Sequence, residues 1–257
     1  MYPVLFRVGN FTVTGYAALV DFGLLAGAVV ACLAARRRGL KPARVLDATL
    51  AAALGGLAGG RAVYVLANWA YYQSHVRRAL RPWDGGVSWH GALVGGLIAV
   101  MAYCAARRLS LRAILDVLAP GVALLAACAW IGCLLNRCAY GLETYPGQGL
   151  PWALSLELPD VYGIWAPRVV VQLLGAGWSV VTLVILLVVS RRPEFQGLGF
   201  PLWLVVYGAG SFVLGFARAD EVAMVAGWRA DQVVDLGLVV IGAVVSAAME
   251  SRPTNEA

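Results

Sequence analysis

Charge is what this sequence has least of. Only 13% of its 257 residues are Asp, Glu, Lys or Arg, against about 25% in an ordinary soluble domain. Lys41 is the one lysine among twenty cations, and there are two histidines. So few charges cannot cover a water-soluble globule. That excludes a soluble enzyme, a disordered chain and a nucleic-acid module. Five cysteines, an odd number lying in or beside apolar runs, do not describe a disulfide framework either. The net charge of +6 comes from arginines placed mostly between apolar runs, where basic side chains set topology and meet anionic head groups.

What fills the chain instead is apolar: 61% of residues are hydrophobic. Seven runs, 14–35, 46–67, 88–106, 114–136, 168–189, 199–217 and 232–249, are long enough to cross a bilayer as helices. The pattern predicts an all-α polytopic membrane protein, one integral domain over 1–257, with seven transmembrane helices and a small outer cap. The densest basic loop, Arg36-Arg37-Arg38 with Lys41 and Arg44, is expected in the cytoplasm. The N-terminus then lies outside and the C-terminus, with the polar tail Ser251–Ala257, inside. The first run has no basic start and three arginines follow it, so it reads as a span rather than a cleavable signal. Loops 68–87 and 137–167 are rich in aromatics of the interfacial kind, and the second is long enough to build the cap. The run Leu54–Gly60 reads either as a close helix–helix approach or as a broken helix.

Ionisable residues inside spans are costly and mark candidates for function. Here they are Asp21, Arg61, His90, Asp116 and Asp235, with Tyr16 and Tyr207 as milder cases. Asp116 and Asp235 read as solvated carboxylates near the interfaces, and Asp21 as pairing with a neighbouring helix. His90, in Trp83-Asp84-Gly85-Gly86-Val87-Ser88-Trp89-His90-Gly91, sits at the outer mouth of the third span among small residues that leave room for a ligand. Histidine titrates near neutrality and suits a general base, while a hydrogen-bonded interfacial histidine is the plainer reading. Arg61 has the fork that matches a phosphate, or snorkels to head groups. Cys128, Cys133 and Cys138 are five apart, which on a helix turns successive thiols by about 140°. That spacing gives no metal site and favours free, buried thiols, with redox chemistry at Cys133 or Cys138 as the alternative.

Several segments together resemble the prolipoprotein diacylglyceryl transferase family of the bacterial inner membrane. The likeness lies in Tyr2-Pro3-Val4-Leu5-Phe6 through Tyr16, in Gly59–Leu66, and most specifically in Trp83–Leu93 with His90. It continues in Ile131-Gly132 with Asn136 and Gly141, in Arg168 and Gln172, and in Tyr207-Gly208 with Phe216-Ala217-Arg218. The resemblance implies transfer of the diacylglyceryl group of phosphatidylglycerol to the thiol of a lipobox cysteine in a prolipoprotein signal peptide. Glycerol phosphate is released, and neither metal nor organic cofactor is needed. It further implies His90, Tyr16, Asn136 and Tyr207 as catalytic residues. Arg61, Arg218, Arg137, Gln172 and Gly141 are implied around the lipid phosphate. The family pattern has an arginine where this chain has Trp130, an asparagine at Cys133 and an acidic residue at Cys138. It has a histidine and a proline at Val169 and Val170, and an arginine and a glutamate at Ser211 and Gly215. A second reading therefore stays open: a repurposed relative that binds or transports an anionic lipid, or does thiol chemistry at Cys133 and Cys138.

Overall fold

A computed structural model describes residues 4–8 and 11–250. Tyr2 and Pro3 of the opening motif and the tail 251–257 lie outside the described residues. Strands β1 (Val4–Val8) and β2 (Phe11–Thr14) form an antiparallel hairpin that leads into α1 (Gly15–Arg37). Then come α2 (Pro42–Ala67), two single turns α3 (Trp69–Tyr72) and α4 (Val76–Ala79), α5 (Trp89–Arg107) and α6 (Leu111–Asn136). A short turn α7 (Leu150–Ala153) precedes the antiparallel pair β3 (Ser155–Pro159) and β4 (Trp165–Val169). The chain ends with α8 (Val171–Val189), α9 (Gly199–Gly215), the hairpin β5 (Met224–Val225) and β6 (Trp228–Arg229), and α10 (Ala230–Glu250).

Six of these helices are long and apolar enough to cross a membrane, and α9 is a shorter apolar helix of 17 residues, at the lower end of spanning length. The seven expected runs thus all become helices. Their faces carry exposed Leu25, Leu50, Ile98, Val184 and Val244, an apolar coat that suits lipid and would drive aggregation in water. One boundary is corrected. The fifth helix starts at Val171, not at 168, because Arg168 and Val169 belong to β4, paired with Leu156 and Ser155. Val169–Val170–Val171 is a β-branched run, which favours the strand.

The described chain clusters into two compact units, and the divisions fall inside α1 and α6. Residues 31–118 form one of them. Its core gathers Ala31, Ala35, Val45, Ala48, Val100, Cys104, Ile114 and Val117. Here α2 and α5 lie against each other through glycines, and α2 is continuous across Leu54–Gly60, which settles that run as a close approach. A Cβ built on Gly59 would fall 2.6 Å from the carbonyl oxygen of Gly91 and 2.7 Å from the Cα of Gly95. The backbones touch where any side chain would separate them.

Asp116 in the same unit is not solvated. It is 3% exposed and paired with Arg38, just beyond the end of α1. This corrects the interfacial reading, because the basic loop supplies a partner that lets the carboxylate be buried. Removing one member of a buried pair costs more than removing both. Arg38→Ala should therefore destabilise the detergent-solubilised protein by ~3–5 kcal/mol, and Asp116→Asn by clearly less. Thermal unfolding of the two variants checks that order.

The other unit comprises residues 1–30 and 119–257. In it α1 and α6 approach at Gly27 and Gly121, where added Cβ atoms would meet the opposite carbonyl oxygens at 2.7 and 2.6 Å. Trp130, Ala139, Val169, Val171 and Ala176 make its core. The expected cap is present and is built largely of strands. Segment 140–144 is held on one side by Ala217 and Ala219 and on the other by Pro167 and Val169. The bonds are Leu142 N to Ala217 O, Ala219 N to Tyr140 O, Thr144 N to Pro167 O and Val169 N to Leu142 O, at 2.8–3.0 Å.

Candidate functional site

In the first of these units His90 is the second residue of α5. The side chain of Ser88 caps that helix by accepting from the Gly91 amide at 3.3 Å. What fixes this helix start is the end of α2. Gly60 O accepts from the Ser88 amide at 3.0 Å. Next to it, Arg61 donates from Nη1 to the carbonyls of Gly85 and Gly86, from Nη2 to Arg78 O at 2.5 Å and from Nε to Ala79 O at 2.9 Å. Arg61 is 6% exposed, with its guanidinium carbon 5.2 Å from the Tyr72 ring centre and 5.9 Å from that of Tyr64. Adjacent residues of one helix thus hold segment 78–88 that leads into His90.

Of the small residues beside His90, Gly86 and Gly91 are packed against neighbours, while Gly85 has open space beside it. Gly85 and Gly86 have φ of 90° and 81°, which glycine adopts freely, and a Cβ on Gly86 would enter the Tyr64 ring. Gly91 is excluded from carrying a side chain by Val63 and the Gly59 carbonyl. All three serve packing and turn geometry.

In the other unit the candidates gather around α6, α9, α10 and the cap. Tyr16, second residue of α1, is half-buried and lies on Gly132 of α6, where a Cβ would be 2.9 Å from its ring. Tyr207 of α9 is buried and stacks on Trp203 at 5.0 Å. Trp130 lies close to the Tyr207 hydroxyl, which is also within electrostatic reach of Asp235, Arg218 and Tyr16. Where the family pattern has an arginine, this chain thus has an indole beside a tyrosine. Asp235, read from sequence as solvated, is 2% exposed in the second turn of α10. Gln232, one turn before it, occupies the space beside Gly215, and its amide donates to Phe212 O at 3.1 Å. A side chain at 215 would collide with Gln232, which accounts for glycine there. Sequence reasoning undervalued Asp235. The available signal was a carboxylate one turn inside an apolar helix, sharing a face with Gln232 and Asp231.

The cysteine expectation is corrected as well. Cys133 and Cys138 form a disulfide, while Cys32, Cys104 and Cys128 are free. Continuous helical spacing would have turned these thiols apart, but α6 ends at Asn136. Arg137 and Ala139 then take φ of 62° and 51°, and Cys138 N bonds back to Cys133 O at 3.0 Å. The reversal brings Cys138 over the last turn of the helix. Gln172, 2% exposed, secures the corner by donating to Cys138 O at 3.0 Å. Gly141 is buried against the Val169 carbonyl and bridges to Arg218, so its role is backbone approach.

The arginines of the cap differ sharply in their partners. Arg168 pairs with Glu143 at 2.7 Å and Asp160 at 3.2 Å, and stands 5.2 Å from the Tyr140 ring centre. Arg218 meets Asp220 at 2.5 Å and Asp231 at 2.8 Å; Arg229 meets the same two carboxylates at 3.1 and 3.2 Å. This ring of two cations and two anions is neutral. Burial works against the Arg218 charge, but bonded Asp220 and nearby Asp231 outweigh it and hold the guanidinium above its ordinary pKa. Burial also raises the Tyr140 hydroxyl, helped by Asp160 and Asp220 and opposed by Arg168, so that tyrosine stays a neutral donor. Arg137 is the exception. Among the described residues no carboxylate pairs with it; its Nε, like that of Arg168, is buried without a partner. Asn136 beside it is exposed. No group of three or more His, Cys, Asp or Glu residues suited to a metal occurs among the described residues.

The chain is similar to known proteins along nearly its whole length. The family model described as "Prolipoprotein diacylglyceryl transferase" matches residues 3–248. A "Phosphatidylglycerol--prolipoprotein diacylglyceryl transferase" of Streptococcus agalactiae is 31% identical over 245 residues, covering 95% of this chain and 94% of its own. Proteins of the same name from Streptococcus uberis and Thermosynechococcus vestitus are each 28% identical over 244 residues. They cover 94% and 92% of this chain, and 93% and 88% of their own. A match that runs nearly end to end, on a bundle with the expected spans, assigns the family: this multi-pass membrane protein belongs to the prolipoprotein diacylglyceryl transferases.

Proposed function

We propose that the protein transfers the diacylglyceryl group of phosphatidylglycerol to the thiol of a lipobox cysteine in a prolipoprotein signal peptide, at the outer face of the bacterial inner membrane with its N-terminus outside. The thiolate is the effective nucleophile. Its sulfur bonds to the terminal glyceryl carbon of the lipid, the carbon–oxygen bond to phosphate breaks, and glycerol phosphate leaves. His90 takes the thiol proton. Arg137 meets the charge that grows on the leaving phosphate, a task for which an arginine without a carboxylate is suited. Tyr16, Tyr207 and Asn136 offer hydrogen bonds, and Trp130 and Asp235 orient the Tyr207 hydroxyl.

The observation that carries this reading is the contrast among the cap arginines. Arg168, Arg218 and Arg229 are neutralised by aspartate and glutamate, whereas Arg137, on the corner fixed by the disulfide, keeps its charge for an incoming anion. On this reading Arg61 holds the loop before His90 and Arg218 holds the cap. The test is expression in cells depleted of their own transferase. Lipidated precursor should reappear; unlipidated precursor, with the protein inserted in the membrane, overturns the proposal.

A further inference from the structure

The turn that ends α6 has an arginine where helix ends favour glycine. Many helices finish with a left-handed residue just past the last turn, and the following amide bonds back to a carbonyl of that turn. Glycine is preferred at the left-handed position because it has no Cβ. Here α6 ends at Asn136, Arg137 takes φ 62°, and Cys138 N donates to Cys133 O at 3.0 Å. Ala139 is left-handed as well, at φ 51°. Neither residue is glycine, and each carries the steric cost of that conformation. A single backbone bond is a weak hold on such a corner.

In this type of helix end the two residues joined by the returning amide commonly touch through apolar side chains. In this chain they are Cys133 and Cys138, and the contact is a covalent disulfide. Gln172 of α8 adds a second hold by donating to Cys138 O at 3.0 Å. From the closed corner the Arg137 side chain reaches the turn between β3 and β4. A Cβ on Gly163 of that turn would lie 3.2 Å from Arg137 Nη1. Where the guanidinium sits is thus tied to whether the corner stays closed.

We infer that Cys133, Cys138 and Gln172 are positioning residues: the disulfide, backed by the glutamine, holds Arg137 in a backbone conformation suited to glycine and so fixes its guanidinium for catalysis. Activity then depends on the oxidation state of this one bond. The inference rests on the role proposed above for Arg137. At the outer face of the membrane, as proposed, the surroundings are oxidising and keep the bond closed. Reduction opens it. With a phosphine as reductant, one phosphine and one water turn the disulfide into two thiols and leave phosphine oxide. Oxidised glutathione closes the bond again, taking the two electrons and two protons of the thiols to become two reduced glutathiones.

The experiment uses the full chain in detergent, oxidised or treated with tris(2-carboxyethyl)phosphine, with reduction confirmed by alkylation of the new thiols. Amide hydrogen exchange over 137–141 should quicken about tenfold on reduction. It should quicken far less in Arg137→Gly, where glycine takes the turn without strain. In the transfer assay reduction should lower kcat about tenfold and leave the KM for the signal peptide unchanged. Reoxidation, with glutathione removed before the peptide is added, should restore the rate. In Arg137→Ala reduction should cost nothing further, because the disulfide acts through the missing guanidinium. Cys133→Ser/Cys138→Ser keeps free Cys32, Cys104 and Cys128; it should match the reduced protein and ignore the phosphine. If that variant does not fold, reduction of the folded wild-type chain still decides. Equal exchange in oxidised and reduced protein overturns the inference. So does an unchanged kcat after reduction, or an equal loss in Arg137→Ala. Oxidised protein that transfers nothing contradicts the transferase reading instead, and the exchange measurement then decides by itself whether the disulfide holds the corner.

Discussion

Replacing His90 by alanine is expected to lower kcat for transfer to a lipobox cysteine by about 10²–10⁴-fold, the range associated with loss of a general base. The fold should survive. The helix start is capped by Ser88 and tied by Gly60, and the segment before it is held by Arg61. Alanine is also a good helix former. A transfer assay with purified protein, phosphatidylglycerol and a signal peptide, paired with thermal unfolding, separates the two effects. Full activity in His90→Ala removes the base from the mechanism.

Arg137→Ala is the second large effect, a fall of about 10²–10³-fold if the guanidinium meets the charge of the leaving phosphate. One complication is backbone. Arg137 sits at φ 62°, where any residue with a Cβ is strained. Arg137→Lys carries the same strain but keeps a positive charge, as a point rather than a fork. The lysine variant should recover a substantial part of the rate, and alanine should not. If both variants lose the same activity, the corner's shape rather than its charge is what matters. Arg218→Ala makes the contrasting case. It opens a neutral ring of ion pairs, so its principal effect falls on cap stability, read as a lower Tm.

The spans were legible because twenty apolar residues in a row have few other uses, and all seven runs became helices. The start of the fifth was misjudged because apolar Val169 and Val170 look alike in a helix and in a strand. What decides is the partner strand Ser155–Pro159, which periodicity does not register. The disulfide was invisible for a related reason. Spacing arguments presume one continuous helix, and the left-handed turn at Arg137 and Ala139 breaks that premise. Buried Asp116 and Asp235 were taken for solvated carboxylates because a sequence shows how near a residue lies to a helix end. It does not show whether another segment, here Arg38 for Asp116, closes over it.

The site was legible in residue type more than in role. His90, Arg61, Tyr16, Tyr207, Arg137 and Arg218 stood out because polar groups are scarce in an apolar chain. Which arginine is open and which is spent depends on where Asp160, Asp220 and Asp231 come to lie, and on carbonyls gathered from residues 78–86. Those are tertiary facts. Gly215 shows the same dependence: in sequence it is a missing glutamate, and in the structure it is room taken by Gln232 from a different helix.

The most direct test of the account is a stoichiometry. Purified protein is mixed with head-group-labelled phosphatidylglycerol and a peptide bearing one lipobox cysteine, and the peptide thiol and labelled glycerol phosphate are followed together. The account predicts that thiol disappears and glycerol phosphate appears in equal amounts, with the peptide gaining a diacylglyceryl thioether, and that His90→Ala shows neither. Folded protein that binds the lipid yet leaves the thiol free and releases no glycerol phosphate would contradict it.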